Sequence, residues 1–215
     1  DYKLEGEPFV SVIIPNKDHL EDLTRCIESM EQVNNYHNLE YIVVENNSVL
    51  DETFAGYEAM GKKYGDRFKL VKWDGIFNYS AINNYGIQFA KGDYILLLNN
   101  DTEVIEPDSL RRMLALCQRP NVGIVGAKLL YDDNTVQHAG VIIGYQGVAG
   151  HAFTGIGDDV YGYFARAVLT QELSAVTAAC LLTKRSVFEE VDKLDETFEV
   201  AFNDIDYCMK VSKAG

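Results

Sequence analysis

Tyr94-Ile-Leu-Leu-Leu-Asn-Asn-Asp-Thr-Glu103 is the stretch whose reading decides the fold. Its apolar start falls far short of the roughly 18–20 residues of a membrane span. It reads instead as a strand buried on both faces, and it breaks abruptly into amides and carboxylates. Two upstream stretches have the same shape. Phe9-Val-Ser-Val-Ile-Ile14 runs through Pro15 into Asn16-Lys-Asp18, and Leu39-Glu-Tyr-Ile-Val-Val44 runs into Glu45-Asn-Asn-Ser48. Phe68-Lys-Leu-Val-Lys72 is a further strand. Helical patterns lie between them. Leu20, Leu23, Ile27 and Met30 recur at helical spacing, with Asp18 placed to cap. A second helix covers roughly 51–63. A third covers 79–91, with Ala81, Ile82, Tyr85, Phe89 and Ala90 on its apolar side and Gly92 as its stop.

This alternation predicts an α/β fold, a Rossmann-like, mostly parallel sheet flanked by helices on both faces. Ligands of such sheets bind beyond the carboxyl ends of the strands. Asn16-Lys-Asp18, Glu45-Asn-Asn47 and Asn99-Asn-Asp101 all lie at those ends. The second half reads as a smaller, mixed β region. It has a helix over Pro107–Gln118, strand-like pieces at Val122–Val125, Lys128–Tyr131, Val141–Ile143 and Ala175–Leu182, and short helices over Ser186–Val191 and Asn203–Lys213. The Gly-rich, aromatic stretch Gly144–Phe164 is too long for a simple connection and reads as a binding loop or lid.

Composition narrows the function. The chain has 215 residues and a formal net charge of −14. That length supports one domain, and the ordinary hydrophobic share excludes disorder. The acidic balance argues against a nucleic-acid or anionic-membrane partner. No apolar leader opens the chain, and no stretch is long enough to span a membrane. Cys26, Cys117, Cys180 and Cys208 form no Cys-x-x-Cys pair and read as buried free thiols. Glycosylation triplets at Asn46 and Asn100 fall where the site is expected, which favours a compartment without N-glycosylation, such as a bacterial cytoplasm.

The dinucleotide and P-loop glycine fingerprints are both absent. At Asn99-Asn-Asp101, Asp101 can hold one hard divalent cation, with water and ligand phosphates completing the shell. The plainer alternative is a polar turn. In Phe202-Asn-Asp-Ile-Asp206, Asn203 suits an N-cap, and Asp204 and Asp206 suit the positive end of a helix dipole. The alternative makes one carboxylate a general base. His138 and His151 each sit beside small residues, which fits close approach of a ligand as well as a tight turn.

Five stretches in this order resemble the family-2 glycosyltransferases: Val-Ser-Val-Ile-Ile-Pro15, Ile-Val-Val-Glu-Asn-Asn-Ser48, Asn84-x-Gly86-x-x-x-Ala90-x-Gly92, Leu-Leu-Leu-Asn-Asn-Asp101 and Phe-Asn-Asp-Ile-Asp206. The resemblance covers roughly residues 9–215, and its nearest likeness is to bacterial rhamnosyltransferase-like enzymes of surface-polysaccharide synthesis. It implies a GT-A fold and an inverting sugar transfer from a UDP- or TDP-linked donor to a glycan or lipid-linked acceptor. It implies a donor site at Pro15, Asn16, Asp18, Glu45, Asn84 and Asn100, with Glu45 standing for the usual Asp. It implies Mn²⁺ or Mg²⁺ on Asp101, and Asp204 as base with Asp206 as runner-up. His138 and His151 fall on the acceptor side.

The family usually has Asp-x-Asp and Glu-Asp where this chain has Asn99-Asn-Asp101 and Asn203-Asp204. Its members also continue past the Lys210-x-x-x-Ala-Gly215 end, so a single catalytic domain shortened at its C-terminus is expected, with 1–103 as the nucleotide half and 104–215 as the acceptor half. The expected location is the cytoplasm, at the inner face of a bacterial membrane. Two other classes fit some of these features. One is a non-catalytic sugar-nucleotide or glycan-binding module of the same fold. The other is a nucleotidyltransferase, although Pro15-Asn-Lys-Asp18 lacks the Gly-rich basic loop that this class needs.

Overall fold

Side-chain direction alternates with period two along the central strands, which are buried on both faces, and sorts their side chains into two layers. Val10, Val12, Ile14, Leu96 and Leu98 face one side of the sheet, and Ile13, Ile95 and Leu97 face the other. The computed structural model describes residues 2–215. Its first half reads β1 (Val10–Asn16), α1 (Leu20–Gln32), β2 (Leu39–Glu45), α2 (Asp51–Tyr64), β3 (Phe68–Lys72), α3 (Tyr79–Ile87) and β4 (Tyr94–Leu98). Then follow α4 (Ser109–Cys117), β5 (Ile124–Gly126), β6 (Leu129–Leu130), β7 (Val136–His138), β8 (Val141–Ile143), β9 (Ala149–His151), β10 (Cys180–Lys184), α5 (Arg185–Glu190) and α6 (Asn203–Ala214).

The central sheet has the order β3-β2-β1-β4-β10-β5. β1 pairs in parallel with β2 and β4, and β2 with β3, while β10 runs antiparallel between β4 and β5. The expected mostly parallel sheet is therefore present, and two of its strands come from the second half. α1, α2 and α4 pack on one face through Leu23, Ile27, Tyr57, Met60, Leu110 and Leu114. α3, α5 and α6 pack on the other through Ile82, Ile87, Phe188 and Tyr207. Gly86 lets α3 lie close, because a Cβ there would come within 2.6 Å of Val44 Cγ2. β6–β7 and β8–β9 are antiparallel pairs outside the main sheet.

Several boundaries differ from the sequence reading. The helix expected over 79–91 ends at Ile87, and its last turn tightens into i→i−3 bonds from Gln88, Phe89 and Ala90. Gly92 is not its stop. A Cβ at Gly92 would meet Ser11 N at 2.6 Å and Phe9 O at 2.7 Å, so the close pass against β1 demands the glycine. The strand expected at 175–182 starts only at Cys180, because residues 175–179 bond to other segments. The Gly-rich stretch contains β9 and a 3₁₀ turn at Tyr163–Ala165. All four cysteines are free thiols.

Asp18 does not cap α1. His19 occupies that N-cap in left-handed backbone with no side-chain cap. The Asp18 carboxylate instead accepts hydrogen bonds from Val49 N and Leu50 N, both at 3.0 Å, at the start of α2. Helix starts leave N–H groups unpaired, and a carboxylate brought by a neighbouring loop satisfies them as well as a local one. These bonds, led by Leu50, hold the Asp18 carboxyl below its ordinary pKa.

Candidate active site

The strand order reverses between β1 and β4, where α/β sheets open a crevice. Ladder pairing of β1 with β4 ends at Ile13, so Pro15 loses no bond on that side by lacking an N–H. Asn16 bridges the opening. Its Oδ1 accepts from Asn100 Nδ2 at 2.6 Å, and its Nδ2 donates to Tyr57 Oη and Asp18 O, both at 2.7 Å. Asn46 N donates to Asn16 O at 2.9 Å, and the Asn46 and Asn47 side chains hold Gly75 O. Pro15, Asn16, Asp18, Glu45 and Asn100 thus meet at the carboxyl ends of β1, β2 and β4.

Glu45 is only 1% exposed, and one carboxylate oxygen accepts from Ser48 N. The other, Oε2, has no hydrogen-bond partner among the described residues. A buried carboxylate oxygen without a donor is costly unless a ligand supplies one. Asp101 stands exposed just past β4, and its carboxylate makes no hydrogen bond among the described residues. No group of three or more His, Cys, Asp or Glu among the described residues forms a metal cage. A single free carboxylate still suits a hard cation whose remaining ligands are phosphates and water, so the residues fit a metal that arrives with its ligand.

A second cleft, of about 210 Å³, opens at the start of α6 and is lined by Asn203, Asp204, His151, Val141 and Phe202 among others. Phe202, in left-handed backbone, is the N-cap of α6, so Asn203 is its first helical residue rather than the expected cap. Asn203 is 4% exposed and its Nδ2 has no partner among the described residues. Asp204 Oδ2 accepts from Ala178 N at 3.2 Å and Oδ1 from Ile205 N at 2.8 Å. Asp206 takes another course. It does not line the cleft and contacts Lys210 at 3.2 Å one turn along α6, so its runner-up role as base loses its placement.

Residues 177–179 join the two regions. Ala179 O accepts from Asn99 N at 3.0 Å, Ala178 N reaches Asp204, and Thr177 N donates to His138 Nε2 at 3.4 Å. This backbone bridge escaped the sequence reading, because Thr-Ala-Ala carries no chemistry of its own and the segment reads as plain strand.

Residues 11–192 match the family described as Glycosyl transferase family 2. The chain belongs to this family. It is 48% identical over 217 residues to a protein of Sinorhizobium fredii named uncharacterized protein y4gI, which covers all of this chain and 24% of that protein. It is 38% identical over 215 residues to the O-antigen biosynthesis protein RfbC of Myxococcus xanthus, covering all of this chain and 17% of that protein. The chain thus spans a quarter or less of the length of these curated relatives. Among solved structures, the mannosyltransferase PcManGT of Pyrobaculum calidifontis, in complex with GDP-Man and Mn²⁺, superposes with a TM-score of 0.74 at 15% identity, over all of this chain and 55% of that one. That likeness is one of fold, and the expected GT-A architecture is present.

Asn84 of this glycosyltransferase-family chain departs from its expected donor-site role. Its Nδ2 donates to Leu194 O at 2.9 Å and Glu196 Oε1 at 3.0 Å, and its Oδ1 accepts from Leu194 N. Both ends of the amide are spent on clamping the 194–196 segment to α3. The two histidines do meet, with Nδ1 atoms 3.0 Å apart. Burial, and then the neighbouring His151, pull the His138 pKa down to about 4. A folded-state pKa below the unfolded one stabilises the fold above the ordinary value of 6.5, and that stability is lost as pH falls towards 4. Wild-type protein should lose about 2 kcal/mol from this group between pH 7 and pH 5. Urea titrations at both pH values check it: His138→Gln should show a loss smaller by that amount, and equal losses would refute the assignment.

Proposed function

We propose that this chain is the catalytic module of an inverting glycosyltransferase that moves a sugar from a nucleoside-diphosphate sugar, UDP- or TDP-linked, to a hydroxyl of a glycan or lipid-linked acceptor. Residues 1–103 hold the donor and 104–215 serve the acceptor. The observation that carries the reading is the pairing of a free strand-end carboxylate, Asp101, with a cleft-lining helix-start carboxylate, Asp204, across the 177–179 bridge. The setting proposed is bacterial surface-polysaccharide assembly at the cytoplasmic face of the membrane, in line with the O-antigen biosynthesis relative. No helix among the described residues is long and apolar enough to cross a membrane.

In this scheme Glu45 accepts an N–H of the base or a ribose hydroxyl, which would pair its orphan oxygen. Mn²⁺ or Mg²⁺, held by Asp101, would neutralise charge on the diphosphate. Asp204 takes the proton of the acceptor hydroxyl while that oxygen attacks the anomeric carbon. The bond from that carbon to the diphosphate breaks with its electron pair leaving on the diphosphate. With one base and no protein nucleophile, a single displacement inverts the anomeric centre.

The test is incubation with a panel of UDP-, TDP- and GDP-sugars, divalent cation and glycan acceptors, reading nucleotide release and the product anomer by NMR. An inverted glycoside supports the reading. A retained anomer overturns the single displacement, and binding without transfer on any acceptor favours a sugar-nucleotide-binding module. Glu45→Gln tests the nucleoside contact: it should weaken UMP and UDP equally, by roughly tenfold, the scale of one charged hydrogen bond. Calorimetry in which only UDP weakens would put Glu45 beside the phosphates instead.

A further inference from the structure

Two imidazole nitrogens 3.0 Å apart share one proton, so the Nδ1 of His138 or of His151 donates and the other accepts. The backbone decides which. Thr177 N–H is an obligate donor and points at His138 Nε2, 3.4 Å away, making that nitrogen an acceptor. His138, 1% exposed, is neutral at physiological pH, because burial and His151 disfavour its charged form. Neutral His138 therefore carries its proton on Nδ1 and donates to His151 Nδ1. His151 must then carry its own proton on Nε2. That nitrogen has no hydrogen-bond partner among the described residues, and His151 lines the Asp204 cleft.

We propose that His151 Nε2–H is a fixed hydrogen-bond donor that holds a hydroxyl of a neutral sugar acceptor beside Asp204, with His138 as the positioning residue that sets its tautomer. The proposal rests on the transferase reading and gives its acceptor site a chemical class. Asn203, whose buried Nδ2 has no partner among the described residues, adds a second neutral N–H at the wall of the same cleft. A hydroxyl there accepts from a neutral N–H and gives its own hydrogen to the Asp204 carboxylate. Sugars offer such donor-acceptor groups on adjacent carbons. A carboxylated or phosphorylated acceptor group would face Asp204 with no cationic side chain among the cleft-lining residues to offset the repulsion. The same tautomer disqualifies His151 as a base, since its one unprotonated nitrogen is occupied by His138.

The experiment uses ¹⁵N-histidine-labelled protein at pH 7.5, with two-bond ¹H–¹⁵N spectra to read tautomers. His151 should appear as the Nε2–H form and His138 as the Nδ1–H form. His138→Asn keeps a donor at the Nδ1 position and should preserve the His151 tautomer, whereas His138→Phe should leave His151 mixed. Titration with neutral methyl glycosides of rhamnose, mannose and galactose should shift the His151 Nε2 signal, and methyl glucuronide should not. In the transfer assay, His151→Phe on this exposed position should raise acceptor KM by tenfold or more with donor KM unchanged, and His151→Gln, which retains a donor near Nε2, should recover most of it. An Nδ1–H His151, an Nε2 signal indifferent to neutral glycosides, or equal acceptor KM for His151→Phe and wild type overturns the proposal. Absence of transfer by wild-type protein, with the tautomers and glycoside shifts as stated, instead counts against the transferase reading alone.

Discussion

Replacing Asp204 by Asn should reduce sugar transfer by two or more orders of magnitude, within the roughly 10²–10⁴-fold range of general-base catalysis. The substitution preserves shape. An Asn oxygen can still accept from Ala178 N or Ile205 N, the bonds that orient the carboxylate, so the start of α6 keeps its geometry. What disappears is the group that receives a proton. Donor affinity should change less than twofold, because the carboxylate lies in the cleft at the start of α6 rather than at the crevice between β1 and β4. Asp206→Asn is the control. Its carboxylate faces Lys210 away from the cleft lining, so turnover should stay within a fewfold of wild type. Turnover abolished by Asp206→Asn and spared by Asp204→Asn would move the base to the other carboxylate.

Asp101→Asn should remove the metal-dependent part of UDP binding, a loss of tenfold or more in the presence of Mn²⁺, while EDTA-treated wild type and variant bind alike. A neutral amide oxygen is a far poorer ligand for a hard cation than a carboxylate. The melting temperature should barely move, because the Asp101 side chain is exposed and makes no hydrogen bond among the described residues. Asn100, which does support the crevice through Asn16, is untouched. Calorimetry with and without metal, beside a thermal melt, separates the outcomes: a large fall in melting temperature with UDP affinity intact would make Asp101 a structural turn.

The sheet was legible because its strands carry their own signature. Apolar runs such as Leu96–Leu98 stop on polar residues, and the helices between them bury a periodic stripe. That pattern also placed Pro15, Asn16, Glu45 and Asn100 together at the carboxyl ends of the parallel strands. The reading failed where partners lie far along the chain. Nothing local shows that Asp18 serves α2 instead of α1, or that Asn84 is consumed by a segment 110 residues away. β7 and β9 are three residues each, too short for an alternating pattern to register. Gly92 reads as a helix stop by habit of residue type, and only the proximity of Ser11 and Phe9 reveals its actual constraint.

The bridge at residues 177–179 acts as a gauge block. The contacts that join the two regions run through main-chain atoms of alanines, Ala179 O to the loop after β4 and Ala178 N to Asp204. Main-chain spacing is set by the backbone rather than by side-chain identity, so substitutions small enough to leave the backbone in place can keep the separation of the loop after β4 from Asp204. Changes of length cannot. A residue inserted or removed between His138's partner Thr177 and Cys180 must shift one anchor against the other, since β10 is locked in register with β4 from Cys180 onward. The tolerance of this segment is therefore narrow in length, and at Ala178, 3% exposed within the core, it is narrow in side-chain size as well.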